Sequence, residues 1–215
     1  MRVVSILSRK GGAGKTTLTL HLAVVAQQAG LRVLVMDADP QASACSWHKK
    51  REEATPLFVG TGAINIDRAL KASSEYGVDL VLIDTPPHTQ QVASAAAQNS
   101  DLVLIPARPS ILDLESIGGT VAIVKAVRRP ALIVLNACPA CSPVTQEARE
   151  VLAGYEIPIA PMTIGNRVAF QHALNSGHTA SEFDPSSKAA FELAALWQWI
   201  SWTINLTEAH KKAVA

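Results

Sequence analysis

The nine residues Arg9-Lys10-Gly11-Gly12-Ala13-Gly14-Lys15-Thr16-Thr17 constrain this chain more than any other stretch. They follow an apolar run of strand length, Val3 to Leu7. They lead into Lys15 to Ala29, where Leu18, Leu22, Val25 and Ala29 recur at helical spacing before Gly30 supplies a stop. A strand, a glycine-rich turn and a helix in that order make a phosphate loop. Glycines allow backbone conformations in which successive N–H groups point into one concavity, and the helix N-terminus adds partial positive charge there. The spacing assigns Gly11, Gly12, Ala13, Gly14, Lys15, Thr16 and Thr17 to the loop, with Lys15 reaching the β- and γ-phosphates and the Thr16 hydroxyl ligating Mg²⁺. The usual pattern has a glycine five residues before Gly14. Arg9 stands there instead, and the loop carries an additional lysine, Lys10.

The rest of the chain sets this loop in a repeating frame. Continuous apolar runs at Val33 to Met36, Leu80 to Ile83, Leu102 to Ile105 and Ala131 to Leu135 suit strands buried on both faces. Between them lie Ala- and Gln-rich stretches, Gln41 to Glu53 and Val92 to Asn99, and a helix-like segment, Leu112 to Arg128, that Pro130 ends. The alternation predicts an α/β fold: a doubly wound, mostly parallel sheet with helices on both faces and a helical C-terminal quarter. No repeat or linker divides the chain, so one P-loop domain is expected over residues 1–215. Hydrophobic residues make up 48% of the chain, enough for a large core and incompatible with intrinsic disorder as the main state. The apolar runs fall far short of the roughly 18 residues that span a bilayer, and Met1 to Lys10 does not fit a secretory signal. A cytoplasmic protein is expected. Lys and Arg number 19 against 18 Asp and Glu, so nucleic-acid binding would need a local patch.

Two acidic segments complete a nucleotide site. Asp37-Ala38-Asp39-Pro40-Gln41 follows the second apolar run, and Asp84-Thr85-Pro86-Pro87 ends the next. Carboxylates at strand ends face the crevice where nucleotides bind in such sheets, and Asp84 is placed to hold Mg²⁺ through water.

Together these three segments closely resemble the deviant-Walker-A ATPases of the ParA/MinD family, with Asp39-Pro40-Gln41 similar to the ParA-type partition branch. The resemblance continues through Asn166-Arg167-Val168, Ser176-Gly177-His178 and Phe183 to Ala190, and fits the short form without a separate DNA-binding domain. It implies a Mg²⁺-ATPase that dimerises on ATP, with Lys10 of each subunit reaching the phosphates held by the other. Asp39 would orient the attacking water, Asp37 would support the metal shell, and Asn136 with Asp184 and Pro185 would contact the adenine and ribose. It further implies a nucleoid-associated homodimer that binds non-specific DNA and partitions plasmids or chromosomes, with hydrolysis stimulated by a ParB-like centromere-binding or adaptor protein. Lys125, Arg128, Arg129, Arg149 and Arg167 are the DNA candidates, joined by Lys211-Lys212; taken singly, each reads as a solvated surface charge.

Other members point to rival readings. A positioning ATPase for a protein cargo, a chemoreceptor cluster or a microcompartment, would share every motif. A MinD-like membrane-recruited regulator would need a basic amphipathic C-terminal helix, and Leu206 to Ala215 has few large apolar residues, so membrane binding is not expected. A metabolic P-loop enzyme is opposed by Lys10 and Asp39-Pro40-Gln41. Cys138 and Cys141 have the spacing of a zinc or redox pair, but there is no second pair, and three cysteines do not suit a disulfide framework. Trp197, Trp199 and Trp202, with Phe191, Leu193, Leu196, Ile200 and Ile204, read as core or dimer packing. The six histidines lack metal-ligand spacing.

Overall fold

Six strands form one sheet in the order β3-β2-β4-β1-β5-β6, and every pairing is parallel. They are β1 (Arg2–Ile6), β2 (Val33–Asp37), β3 (Leu57–Gly60), β4 (Leu80–Asp84), β5 (Leu102–Ala107) and β6 (Ala131–Leu135). The computed structural model describes residues 1–62 and 65–206. Lys211, Lys212 and His210, and most of the stretch weighed above for membrane binding, lie outside the described residues.

Within each strand the continuous apolar run is shared between two cores. Val4, Ile6, Val35, Leu82, Leu104 and Val134 point to one face, and their neighbours Val3, Met36, Ile83, Ile105 and Leu135 to the other. This is the two-residue period of a strand, hidden in sequence because both faces are buried. The first face carries α1 (Lys15–Gln28), α2 (Ser43–His48), α7 (Val168–Asn175), α8 (Ala180–Phe183) and α9 (Lys188–Thr203). The second carries α3 (Ile66–Glu75), α4 (Gln90–Gln98), α5 (Ile111–Val127) and α6 (Val144–Ala153). Helix α1 lies between the sheet and α9, which is why its apolar residues run around most of its circumference.

The doubly wound architecture matches the sequence expectation, with one strand added: β3 is a short, half-exposed edge strand. The C-terminal quarter is helical, but the aromatic set is split. Leu193, Leu196, Trp197, Ile200 and Ile204 are core, whereas Phe191 and Trp202 face outward.

The connectivity matters for function because β1 sits between β4 and β5, and the chain leaves β1 at the point where the winding reverses. Open α/β sheets bind ligands at the carboxyl ends of their strands at such a point. The phosphate loop is the segment that emerges there.

Candidate nucleotide-binding site

The loop between β1 and α1 is held from below. Asn136, one residue past β6 and buried, donates from Nδ2 to the carbonyl of Ala13 at 2.8 Å. Gly14 takes φ +93° directly above that amide, and a Cβ there would overlap Asn136 Nδ2. Only glycine satisfies both the left-handed backbone and the close approach. Around Gly11 and Gly12 an added Cβ would meet nothing, so the other side of the loop is open. Helix α1 begins without a side-chain cap, which leaves its first N–H groups directed into that opening.

Lys15 is buried, and its Nζ donates to the carbonyl of Lys10 at 3.3 Å, curling over the loop. Burial lowers its pKa, while the carboxylates of Asp84 and Asp39 act to raise it. Thr16 Oγ1 donates to Asp84 Oδ2 at 2.7 Å, and Asp84 Oδ1 is buried with no partner among the described residues. Register explains the acid cluster: Asp37 and Asp84 are adjacent in the β2–β4 ladder, and Asp84 also pairs with Ile6, the last residue before the loop. Burial pushes the Asp84 carboxyl up to about 7; the Thr16 hydroxyl opposes the rise, Asp37 adds to it, Lys15 opposes it and Asp39 adds to it. An acid with an orphaned buried oxygen and a hydroxyl on its other oxygen is a donor set that a hard divalent ion completes. Thr16 and Asp84 therefore fit Mg²⁺.

Asp37 does not fit it in the same way. Both its oxygens are taken by backbone amides, Oδ1 by Asp39 N–H at 3.2 Å and Oδ2 by Cys45 N–H at 2.9 Å. Asp37 shapes the turn that carries Asp39 into α2. Asp39 is partly exposed beside Lys15 and Asp84, with Oδ1 accepting from Gln41 N–H.

Lys10 is not directed into its own loop. Its Nζ lies 3.2 Å from Asp113 Oδ2, in the first turn of α5, where the N-cap hydroxyl of Ser110 also bonds Asp113. No sequence signal joins two residues so far apart. Exposed Ile111 and Leu112 precede Asp113 on the same turn.

The two residues expected at the base have contacts of their own. Asn136 gives one N–H of its amide to the phosphate loop. Asp184, which ends α8, folds its carboxylate onto Ser186, accepting from Ser186 N–H at 3.0 Å and Ser186 Oγ at 2.7 Å, and with Pro185 it forms the exposed turn between α8 and α9. The late segment that reaches the end of β6 is instead Thr163 to Arg167. Cys138 N–H donates to Ile164 O at 2.9 Å, and Asn166 N–H to Cys138 O at 2.8 Å. These two stretches, with Thr145 and Glu192, line an open cavity of about 390 Å³. Asn166-Arg167-Val168 and the Cys138–Cys141 pair were each visible in sequence, but their meeting in one cavity was not.

The DNA candidates differ in how free their charges are. Lys125, Arg128 and Arg129 sit at the C-terminal end of α5, which starts beside the nucleotide end of the sheet and runs away from it. Lys125 pairs with Glu156 at 3.2 Å. Arg149, on α6 of the same sheet face as α5, donates to the carbonyls of Ala160 and Pro161, and Arg167, at the start of α7 on the opposite face, is bound to Glu192, which raises its pKa. Of the five, Arg128 and Arg129 alone are exposed without such a commitment among the described residues.

A parallel sheet with a phosphate loop at its winding reversal, an additional loop lysine and paired strand-end acids defines a P-loop nucleotide-binding protein of the deviant kind. Residues 4–180 match the model of the CobQ/CobB/MinD/ParA nucleotide binding domain, and the chain belongs to that family. It is 32% identical over 229 aligned positions to the maintenance of carboxysome distribution protein A of Gloeobacter kilaueensis, covering 100% of this chain and 92% of the relative. The chromosome-partitioning ATPase Soj of Thermus thermophilus is 30% identical over 60% of this chain and 63% of its own length. Among solved structures, apo McdA from Cyanothece superposes with a TM-score of 0.79 at 22% identity, covering 95% of this chain and 99% of the other. MinD from Pyrococcus horikoshii with Mg-ADP superposes with a TM-score of 0.77 at 21% identity, covering 93% and 95%. Both share the fold. Among the described residues no helix is long and apolar enough to cross a membrane.

Proposed function

We propose that this chain is a Mg²⁺-dependent ATPase that switches between an ADP-bound or empty monomer and an ATP-bound homodimer, and that positions a cargo inside the cell. The observation that carries the nucleotide half is the Thr16–Asp84 pair with its orphaned carboxylate oxygen beneath an open phosphate loop. Bound Mg²⁺ would supply positive charge against the negative charge of the phosphates. Thr16 and Asp84 would hold it, Lys15 would hold the phosphates, and Asp39 would orient water. The cavity between Cys138 and Arg167 would take the base, on the carboxyl side of β6. Lys10 would leave Asp113 and meet the partner's phosphates, placing a charge that the monomer keeps apart from its own loop.

For the cargo, the full-length alignment with a carboxysome distribution protein supports a protein assembly. Partition of DNA is the second reading, supported by the likeness to the chromosome-partitioning ATPase Soj, 30% identical over 60% of this chain. In both readings the ATP dimer binds non-specific DNA, with Arg128 and Arg129 as the first residues to test, and an adaptor or ParB-like protein stimulates turnover. Asp39→Ala should trap the ATP dimer, which is then used as bait. Recovery of a microcompartment adaptor supports the first reading, and recovery of a centromere-binding protein moves the assignment to partition. Normal ATP turnover by Asp39→Ala would remove the proposed water-orienting role. DNA binding that appears with ATP, fades with salt and is absent with ADP is expected of either.

A further inference from the structure

Cys138 and Cys141 are the two thiols that line the cavity assigned to the base. They lie on either side of Pro139-Ala140, in a loop where Ala137 and Cys141 both take positive φ, so the chain doubles back within four residues. Both side chains line the same cavity of about 390 Å³, Cys138 buried at its wall and Cys141 exposed at its rim. Cys138 is also the point at which this loop is tied to the opposite wall, through its N–H to Ile164 and its carbonyl to Asn166. Two residues upstream, Asn136 holds the phosphate loop. A change in the position of Cys138 is therefore felt by the cavity wall and by the loop together.

We propose that Cys138 and Cys141 form a reversible disulfide that lowers nucleotide affinity, so that the site responds to the redox state of its surroundings. The inference rests on the reading of the cavity as the base site. A low-molecular-weight disulfide of the glutathione class is the oxidant. The Cys141 thiolate, accessible at the rim, attacks one sulfur of that disulfide, forming a mixed disulfide and releasing one small thiol. The Cys138 thiolate then attacks the Cys141 sulfur, forming the internal bond and releasing the second small thiol. Two protein thiols are oxidised, one small disulfide is reduced to two thiols, and the two protons pass to them. The order follows from placement, and burial, which pushes the Cys138 thiol up, reinforces it. Closing the bond draws the Cys138 sulfur from the cavity wall toward the rim. The third cysteine, Cys45, lies at the start of α2 beside Gly60 and outside the cavity.

The test uses the full chain, incubated with oxidised glutathione or with a reducing agent. Of the three thiols, oxidation should leave one titratable, and peptide mapping should find the internal bond between Cys138 and Cys141. Binding of a fluorescent ADP analogue should weaken by about tenfold or more on oxidation, the scale of one lost contact to a buried base, and recover on reduction. Cys141→Ser should show no such difference between the two conditions. Three titratable thiols after oxidation, or a mapped disulfide with unchanged affinity, would overturn the proposal while reduced protein that binds the analogue upholds the nucleotide reading. Reduced protein that fails to bind would overturn both.

Discussion

Gly14 concentrates the demands of the site in one residue. Its φ of +93° costs a residue with a Cβ about 1–2 kcal/mol, and the Asn136 amide occupies the space that such a Cβ would need. Gly14→Ala should therefore push Asn136 off the Ala13 carbonyl and eliminate nucleotide binding in calorimetry, while urea unfolding shows a loss of about 1–3 kcal/mol, the backbone strain plus one buried hydrogen bond. Undiminished binding would show that the clamp is dispensable. Lys10 presents the opposite case, a residue held back by its contact. Its ion pair with Asp113 is partly exposed and worth at most about 1 kcal/mol, so Asp113→Asn should raise the ATP-dependent dimer fraction by up to about fivefold. Analytical ultracentrifugation with a non-hydrolysable ATP analogue measures it. An unchanged dimer constant would mean that the pair does not compete with the proposed reach of Lys10 across the dimer.

At the scale of elements, the short helix α2 is positioned by a residue just past its end. The Arg51 side chain is almost completely enclosed: it makes a fork to Glu182 at 2.7 and 3.0 Å, donates to Gly177 O at 2.9 Å and lies over the Trp47 ring at 4.7 Å. It ties the turn that starts at Asp37 to α8 on the far side of α1. Its fork lowers the pKa of Glu182, against the effect of burial. Arg51→Lys retains the charge but loses the fork and the stacked plane, and should cost about 2 kcal/mol in urea unfolding; a cost below about 0.5 kcal/mol would place the pair among surface contacts. Nothing in the sequence marks Arg51, because a charge in a run of Lys49-Lys50-Arg51-Glu52-Glu53 reads as solvated. The same limit accounts for β3: Leu57 to Gly60 is four residues long, half-exposed and ends in glycine. By contrast, the five strands that the sequence revealed are those buried on both faces, and the phosphate loop was legible because its spacing follows directly from its chemistry. Asp37 and Asp84 were legible as strand-end acids, but their division of labour was not. Which oxygen is taken by an amide depends on the path of the Asp39 turn, and periodicity does not encode that path.

For the whole molecule, His21 and Asp84, the two strongly perturbed groups among the described residues, act on stability in opposite directions across the same pH range. His21 is fully buried in α1, its Nδ1 bonded to Thr17 O at 2.9 Å and its ring edge-on to Phe170. Because a carbonyl only accepts, Nδ1 carries the proton and Nε2 is left a buried lone pair without a partner among the described residues. Burial lowers its pKa to about 4 from 6.5, although the Thr17 carbonyl and Glu182 pull the other way. Between those values the unfolded chain binds the proton and the folded one does not, so the His21 contribution rises with pH from about 4 to about 6.5 and is level above. The span corresponds to about 3 kcal/mol. Asp84, with its folded pKa raised to about 7 from 3.8, does the reverse: the folded state holds the proton longer, and stability falls as pH rises between those values. The wild-type profile should therefore be flatter than either term alone. His21→Leu removes the first term and Asp84→Asn the second. In urea unfolding from pH 4.5 to 7.5, the wild-type advantage over His21→Leu should grow as pH rises to 6.5, whereas Asp84→Asn should gain on wild type up to pH 7 in the absence of nucleotide. If the wild type and His21→Leu differed by a constant amount across the range, His21 would titrate alike in both states, and its burial under Phe170 would have no electrostatic consequence.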